Sequence, residues 1–201
     1  DLNTSFTGED SLDISLDGGN ANSAGIVEFD GNATPADALV VDGVSYTFPV
    51  GGATVIVGDN TDGSALYTTA CVYGGPSNTL DDCGNVNAGF TGGAVSAGAS
   101  YDFDNGFTAA AGLQTSTTGV LTEESQDSYA LNAAYTGENY GVSITYASGE
   151  NAARTDDDTV TAFNGYYTPE GLPSISVGYE VGEQGGLASD IDGFESFFVG
   201  L

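Results

Sequence analysis

Residues 48–55 read FPVGGATV and stand between two runs in which every second residue is apolar. Before the glycines, Val44, Tyr46, Phe48 and Val50 alternate with Gly43, Ser45, Thr47 and Pro49. After them, Ala53, Val55 and Val57 alternate with Thr54, Ile56 and Gly58. Two period-2 segments around a Gly-Gly pair predict a β-hairpin. The apolar side of such a hairpin faces a core in a soluble sandwich and lipid in a membrane barrel. Alternation alone does not distinguish the two, so the rest of the chain decides.

The same period recurs through Leu12–Leu16, Val95–Phe103, Phe107–Leu113, Tyr129–Tyr135, Tyr140–Tyr146, Phe163–Tyr167, Ile175–Val181 and Phe197–Leu201. This predicts ten or eleven strands and essentially no helix. No apolar run reaches the roughly 18 residues that a transmembrane helix needs. No basic segment followed by an apolar one opens the chain, so any export signal is expected to have been removed. Tight turns are expected at 7–10, 49–52, 103–106, 136–139 and 168–171. Long connections are expected at 17–38, 58–90, 114–127, 147–158 and 182–193. Hairpin connections alternate between the two ends of a sheet, so all tight turns fall at one end and all long loops at the other. Outer-membrane barrels have this asymmetry; a Greek-key sandwich mixes the two lengths. The fold expected is therefore an all-β, antiparallel, up-and-down transmembrane-type β-barrel, or a segment of one, spanning 1–201 as one domain.

Charge follows the same division. The chain carries 29 acidic residues, one Arg (Arg154), no Lys and no His, for a net charge of −28. More than half of the acids lie in the five long connections. Such a surface repels nucleic acid and offers no basic patch to neutralise phosphates. The aromatic residues Phe48, Phe103, Phe107, Tyr135, Tyr140 and Tyr167 lie near tight turns, as an interfacial girdle would. The remaining apolar-phase residues are often Ala, Gly or Val, thin material for a packed sandwich core. Acids within strands sit in the opposite phase, and Asp13, Asp42, Asp102 and Glu180 are the expected pore-lining acids, which favour cations over anions.

No enzyme is expected. General-base catalysis by His and covalent catalysis by Lys lack their residues, and a glycosidase cleft usually adds aromatic platforms including Trp, which is absent. The two cysteines, Cys71 and Cys83, stand in the Gly/Ser/Asn/Asp-rich stretch CVYGGPSNTLDDC. With no His and no second cysteine pair, a zinc site is not expected, and a loop disulfide in an oxidising compartment is. Carboxylates one to three residues apart in DNTDGS, TDDDT and SDIDGFE make Asp59, Asp62, Asp156, Asp158, Asp190 and Asp192 weak candidates for Ca2+. None matches a full twelve-residue calcium loop, and no cofactor is otherwise required. A soluble calcium-binding β-sandwich is a further reading of the same features.

The opening DLNTSFTGEDSL resembles the first hairpin of cyanobacterial outer-membrane porins that carry an S-layer-homology domain and are related to carbohydrate-selective porins. VDGVSYTFPVGGATVIVGDN, DSYALNAAYTGENYGVSITYA, NGYYTPEGLPSISVGYEVG and SFFVGL are similar to later strands of the same barrel, in the same order. The resemblance implies an outer-membrane channel for passive diffusion of small solutes or inorganic ions, iron in some members. It also implies a lipid bilayer as partner and association as a homo-oligomer, commonly a trimer. The chain departs from that pattern. The peptidoglycan-binding domain and the last barrel strands of the family are not expected within these 201 residues, and Ser11, Asp13 and Ser15 stand where basic residues are common. The chain is thus expected to be about the first two-thirds of a barrel, not a working monomeric pore by itself. The alternative expectation is a secreted structural protein whose porin-like strands self-assemble into extracellular filaments by edge pairing, bridged by divalent cations.

Overall fold

Period-2 runs with aromatic or aliphatic residues in one phase and small or polar ones in the other form eleven strands among the described residues. The computed structural model describes residues 1–17, 39–72, 95–115, 126–150, 157–183 and 193–200. The strands are β1 (Leu2–Thr4), β2 (Ser11–Asp17), β3 (Val40–Val50), β4 (Ala53–Asp59), β5 (Val95–Asp102) and β6 (Phe107–Thr115). They continue as β7 (Asp127–Thr136), β8 (Tyr140–Gly149), β9 (Asp158–Tyr167), β10 (Ile175–Glu183) and β11 (Gly193–Gly200). All lie in one sheet in chain order, each antiparallel to the next, and no helix occurs among the described residues.

The sheet is all-β and up-and-down, but it does not close into a barrel: among the described residues β1 and β11 are its two edges. This corrects the closed form of the expected fold. Two physical features oppose direct closure. In an antiparallel meander of odd strand number the first and last strands run in the same direction, so pairing them would insert a parallel junction. β1 also offers only three residues to an eight-residue β11. One irregularity interrupts the ladders. Ser15 pairs with Gly43 and Leu16 with Val41, which leaves Asp42 as the extra residue of a bulge.

The short connections sit where local chemistry puts them. Between β5 and β6, Asp102 accepts the Asp104 amide at 2.8 Å and Asn105 accepts the Phe107 amide at 3.1 Å, two Asx turns in succession. Gly106 then takes φ +88°, a left-handed value that an L side chain rarely adopts.

The strands bury the face that a soluble protein would expose. Along β7, Tyr129, Leu131 and Ala133 are exposed while Ala130, Asn132 and Ala134 are buried. Along β8, Tyr140, Val142, Ile144 and Tyr146 alternate with buried Gly141, Ser143, Thr145 and Ala147. β10 repeats this, with Ile175, Val177 and Tyr179 out and Ser176, Gly178 and Glu180 in. The contrast is large: Leu131 is 58% exposed and Val142 54%, whereas Asn132 is 4% and Thr145 0%. Register aligns the residues of the covered face, buried or half-buried, in rows across the sheet. One row is Gly98, Gly112, Ala130, Ala147, Val160 and Gly182; the next is Ser100, Ala110, Asn132, Thr145, Ala162 and Glu180. A third holds Ala134, Ser143, Asn164 and Gly178, and a fourth, nearest the tight turns, Gly141, Tyr166 and Ser176.

The turn from β1 to β2 hangs on one carboxylate. Asp10 Oδ1 accepts the Phe6 and Thr7 amides at 3.0 and 2.7 Å and the Ser5 and Thr7 hydroxyls at 2.7 Å each. Its Oδ2 accepts the Tyr46 hydroxyl of β3 at 2.5 Å. These bonds favour the charged form and hold the acid well below the usual carboxylate range, the Tyr46 bond contributing most. A group whose folded pKa is depressed stabilises the fold above its unfolded value and loses that contribution as pH falls. Asp10→Asn should therefore speed exchange of the Phe6 and Thr7 amides about tenfold near neutral pH. The difference from the parent chain should persist down to about pH 5 and shrink below about pH 4, as read by hydrogen exchange across a pH series.

Candidate functional site

The connection after β4 turns onto the buried face. Residues 61–72 were expected within a long exposed loop; they instead form a strap that crosses the sheet from β5 to β10, descending toward the tight-turn end. Thr61 Oγ1 begins it at 2.8 Å from Ser96 Oγ of β5. A compact turn follows, in which the Ala65 amide donates to Asp62 O at 3.2 Å and the Tyr67 amide to Ser64 O at 2.9 Å. Asp62 Oδ1 fixes it by accepting the Ser64 hydroxyl at 2.9 Å.

Small residues make room for that turn. A Cβ on Gly98 would stand 2.7 Å from Gly63 O, and one on Gly112 would collide with the same oxygen and reach 2.6 Å from the Tyr67 hydroxyl. Tyr67 lies over Ala130, Ala147 and Ala162, the small apolar cluster of this face, beside Val160. Its hydroxyl donates to Ala130 O at 2.8 Å. Burial, then the nearby Asp62 charge, pushes that hydroxyl's pKa well above the ordinary tyrosine value, so it stays a neutral donor.

From Thr68 onward, alternate main-chain amides of the strap bond to strand side chains. Asn132 of β7 clasps Thr68, accepting its N–H at 3.0 Å and donating to its C=O at 3.1 Å. The Asn132 amide group also donates to Thr145 Oγ1 at 2.8 Å. The Ala70 amide donates to Ser143 Oγ of β8 and the Val72 amide to Ser176 Oγ of β10, both at 2.9 Å. Each step of two strap residues thus drops one row toward the tight turns. The wall's short polar side chains replace the ladder partners that this irregular backbone lacks.

The acids singled out from sequence are spread along the sheet. Asp13 pairs in register with Ser45 and accepts Ser11 Oγ at 2.7 Å and the Asn3 amide. Asp42 is the exposed bulge residue, its carbonyl bonded by Asn60. Asp102 is exposed at the turn end and caps Asp104. Glu180 is deeply buried on β10 and accepts Ser196 Oγ at 3.0 Å. The four are not brought together as one ring.

Three of the calcium candidates can be placed. Asp59 ends β4, Asp62 lies in the strap and Asp158 opens β9, while Asp156, Asp190 and Asp192 fall outside the described residues. No three Asp, Glu, Cys or His side chains gather among the described residues. Cys71 is the strap's penultimate residue, and Cys83 lies outside the described residues. Sequence reasoning missed Asn132, Ser143 and Ser176 as strap anchors. The available signal was an Asn or Ser in a phase otherwise filled by Ala and Gly. No family model and no curated protein matches the chain.

Two substitutions test the strap. Asn132→Ala removes the clasp and strands the Thr68 amide, so stability should fall by about 2 kcal/mol. Gly112→Val fills the space under Gly63. Both variants should increase exchange of the Thr68 and Ala70 amides more than that of β8 amides, measured by hydrogen exchange with mass spectrometry.

Proposed function

We propose that the chain is the wall of an outer-membrane diffusion channel for small, preferably cationic solutes or inorganic ions, with residues 61–72 narrowing the passage. The inverted burial of β7, β8 and β10 carries the reading. More than a dozen large apolar side chains on the bare face are over a third exposed. Each leaves about 1 kcal/mol of unrealised hydrophobic transfer, together comparable with the whole stability of a domain. Soluble monomers rarely keep contiguous apolar patches beyond a few hundred Å², whereas lipid covers such a face without further packing.

Aromatic rings cluster where a bilayer interface would lie. Phe107 and Tyr135 stand 4.7 Å apart between centroids, Tyr135 and Tyr140 5.6 Å, and Tyr101 and Phe103 4.8 Å, all near tight turns. The opposite face presents hydroxyls, amides and a carboxylate, and acids outnumber bases throughout, which favours cations. A loop disulfide between Cys71 and Cys83 would pin the far end of the strap.

A second reading has one observation of its own, the open sheet. Among the described residues its edge strands have a neighbour on one side only, and Phe197 of β11 is strongly exposed. Strand addition between copies would build an extracellular filament. β11 and β1 run alike, so with the bare faces on one side antiparallel joints pair β11 with β11 and β1 with β1, each about a two-fold axis, and a filament needs the two joints in alternation.

Full chain reconstituted in planar bilayers should give ohmic steps, with reversal potentials in a KCl gradient indicating cation preference. Tyr67→Ala should enlarge the unitary conductance by thinning the strap. Absence of conductance together with detergent-free filaments in electron micrographs would replace the channel with the filament. Anion preference would remove the cationic specificity.

A further inference from the structure

We infer that the covered face holds a site for one hard cation of the calcium class between β9 and β10, with Asn164 and Glu180 as its protein ligands. The wall geometry carries this inference whether or not the bare face meets a membrane. Asn164 is 5% exposed, and neither its Oδ1 nor its Nδ2 has a hydrogen-bond partner. Buried side-chain amides with both atoms unpartnered are rare in folded proteins, and such a group marks a bound water or ion. Every other polar side chain that anchors the strap on this face makes its bonds: Asn132 to Thr68, Ser143 to Ala70 and Ser176 to Val72. Asn164 stands in register with Ser143, between those anchors, and takes no part in the strap.

The amide is directed toward β10. Its Oδ1 lies 2.7 Å from the position a Cβ would take on Gly178, its register partner, so the missing side chain at Gly178 is what admits it. The Phe198 ring of β11 lies against the same vacated Cβ position. The next covered residue on β10 is Glu180, 3% exposed. A diagonal pair of this kind on neighbouring antiparallel strands has Cα atoms roughly 7–8 Å apart, which two inward-leaning side chains span through one ion. Ser196 already donates to Glu180 Oε2 at 3.0 Å and orients the carboxylate.

Two buried oxygen acceptors thus stand on the same face of adjacent strands, one register step apart. Oxygen-only ligands of this kind suit hard cations, and an ion held by one carboxylate and one amide keeps waters for its remaining positions. One of those enclosed waters gives Asn164 Nδ2 its acceptor. The net charge of −28 raises the local concentration of such ions. The site differs from the acidic loops in needing a single carboxylate, so a search for clustered acids passes over it.

The test uses the purified full chain in high-sodium buffer, where exposed carboxylates are screened. Calcium binding is followed by calorimetry, and the thermal midpoint is compared in calcium and in chelator. The parent chain should bind one calcium more tightly than its surface acids do, and calcium should raise its midpoint. Asn164→Leu, close in volume and without polar atoms, should weaken that binding about tenfold or more while matching or exceeding the parent midpoint in chelator. Glu180→Gln should weaken it likewise, and Asn164→Asp should tighten it. An Asn164→Leu chain whose calcium affinity and calcium-induced shift equal those of the parent would overturn the site and leave only enclosed water. An Asn164→Asp chain with unchanged affinity would overturn it as well, whatever happens to the Glu180 variant.

Discussion

A β-strand presents two faces, and the chain can cover only one of them with its own residues. Here the covered face is the one with the small and polar side chains. That choice constrains everything else, because a face of Ala, Gly, Ser, Thr and Asn cannot drive burial through apolar area. Ala130, Ala147 and Ala162 together offer little more than three methyl groups to Tyr67. What holds this side is hydrogen bonding: Asn132 to both main-chain groups of Thr68, and Ser143 and Ser176 to alternate amides beyond it. Each such bond contributes about 1 kcal/mol net, and leaving its buried partner unsatisfied costs more. The strap is therefore held by the penalty for leaving as much as by attraction.

Small side chains in the wall and a strap of irregular backbone are mutually dependent. Gly98 and Gly112 admit the Gly63 carbonyl only because neither carries a Cβ. The strap in turn shields groups that a bare polar wall would leave to water. Glycine recurs at Gly141 beneath Tyr166 and at Gly182 beneath Phe194, where an aromatic ring from the next strand occupies the vacated space. The wall is thus filled laterally by rings and across its face by the strap, which explains how alanine- and glycine-rich strands hold a defined register.

Much of the wall could be read from period-2 alternation, because strand direction and turn length leave local marks. DNG at 104–106 and the long gaps between hairpins predicted the up-and-down order that the sheet adopts. The alternation also separated the two faces at Tyr129, Leu131, Tyr140 and Val142. Two features were not local. Whether the sheet closes depends on the pairing of β1 with β11, residues at opposite ends of the chain. Residues 61–72 carry no periodicity, since a strap bonded to side chains of β7, β8 and β10 takes its shape from the wall. The acidic loops carry the sequence signal for calcium, whereas Asn164 shows only what Asn132 shows, a polar residue two positions from an alanine in the covered phase.

The edges decide what the wall can belong to. A bilayer requires that main-chain groups at its depth be satisfied, so an open sheet there must gain partners for both β1 and β11. An aqueous filament has the same need for its edges and the additional need to cover the bare face, on which Leu131, Val142, Ile144 and Phe163 remain exposed. Strand pairing alone satisfies edges but leaves that face in water, so a filament would have to pack a second layer of copies against it. Lipid meets the requirement of the face directly and leaves only the edges to be paired. The membrane wall therefore asks for fewer independent contacts than the filament, and it uses the aromatic band near the tight turns in the place where an interface would stabilise it.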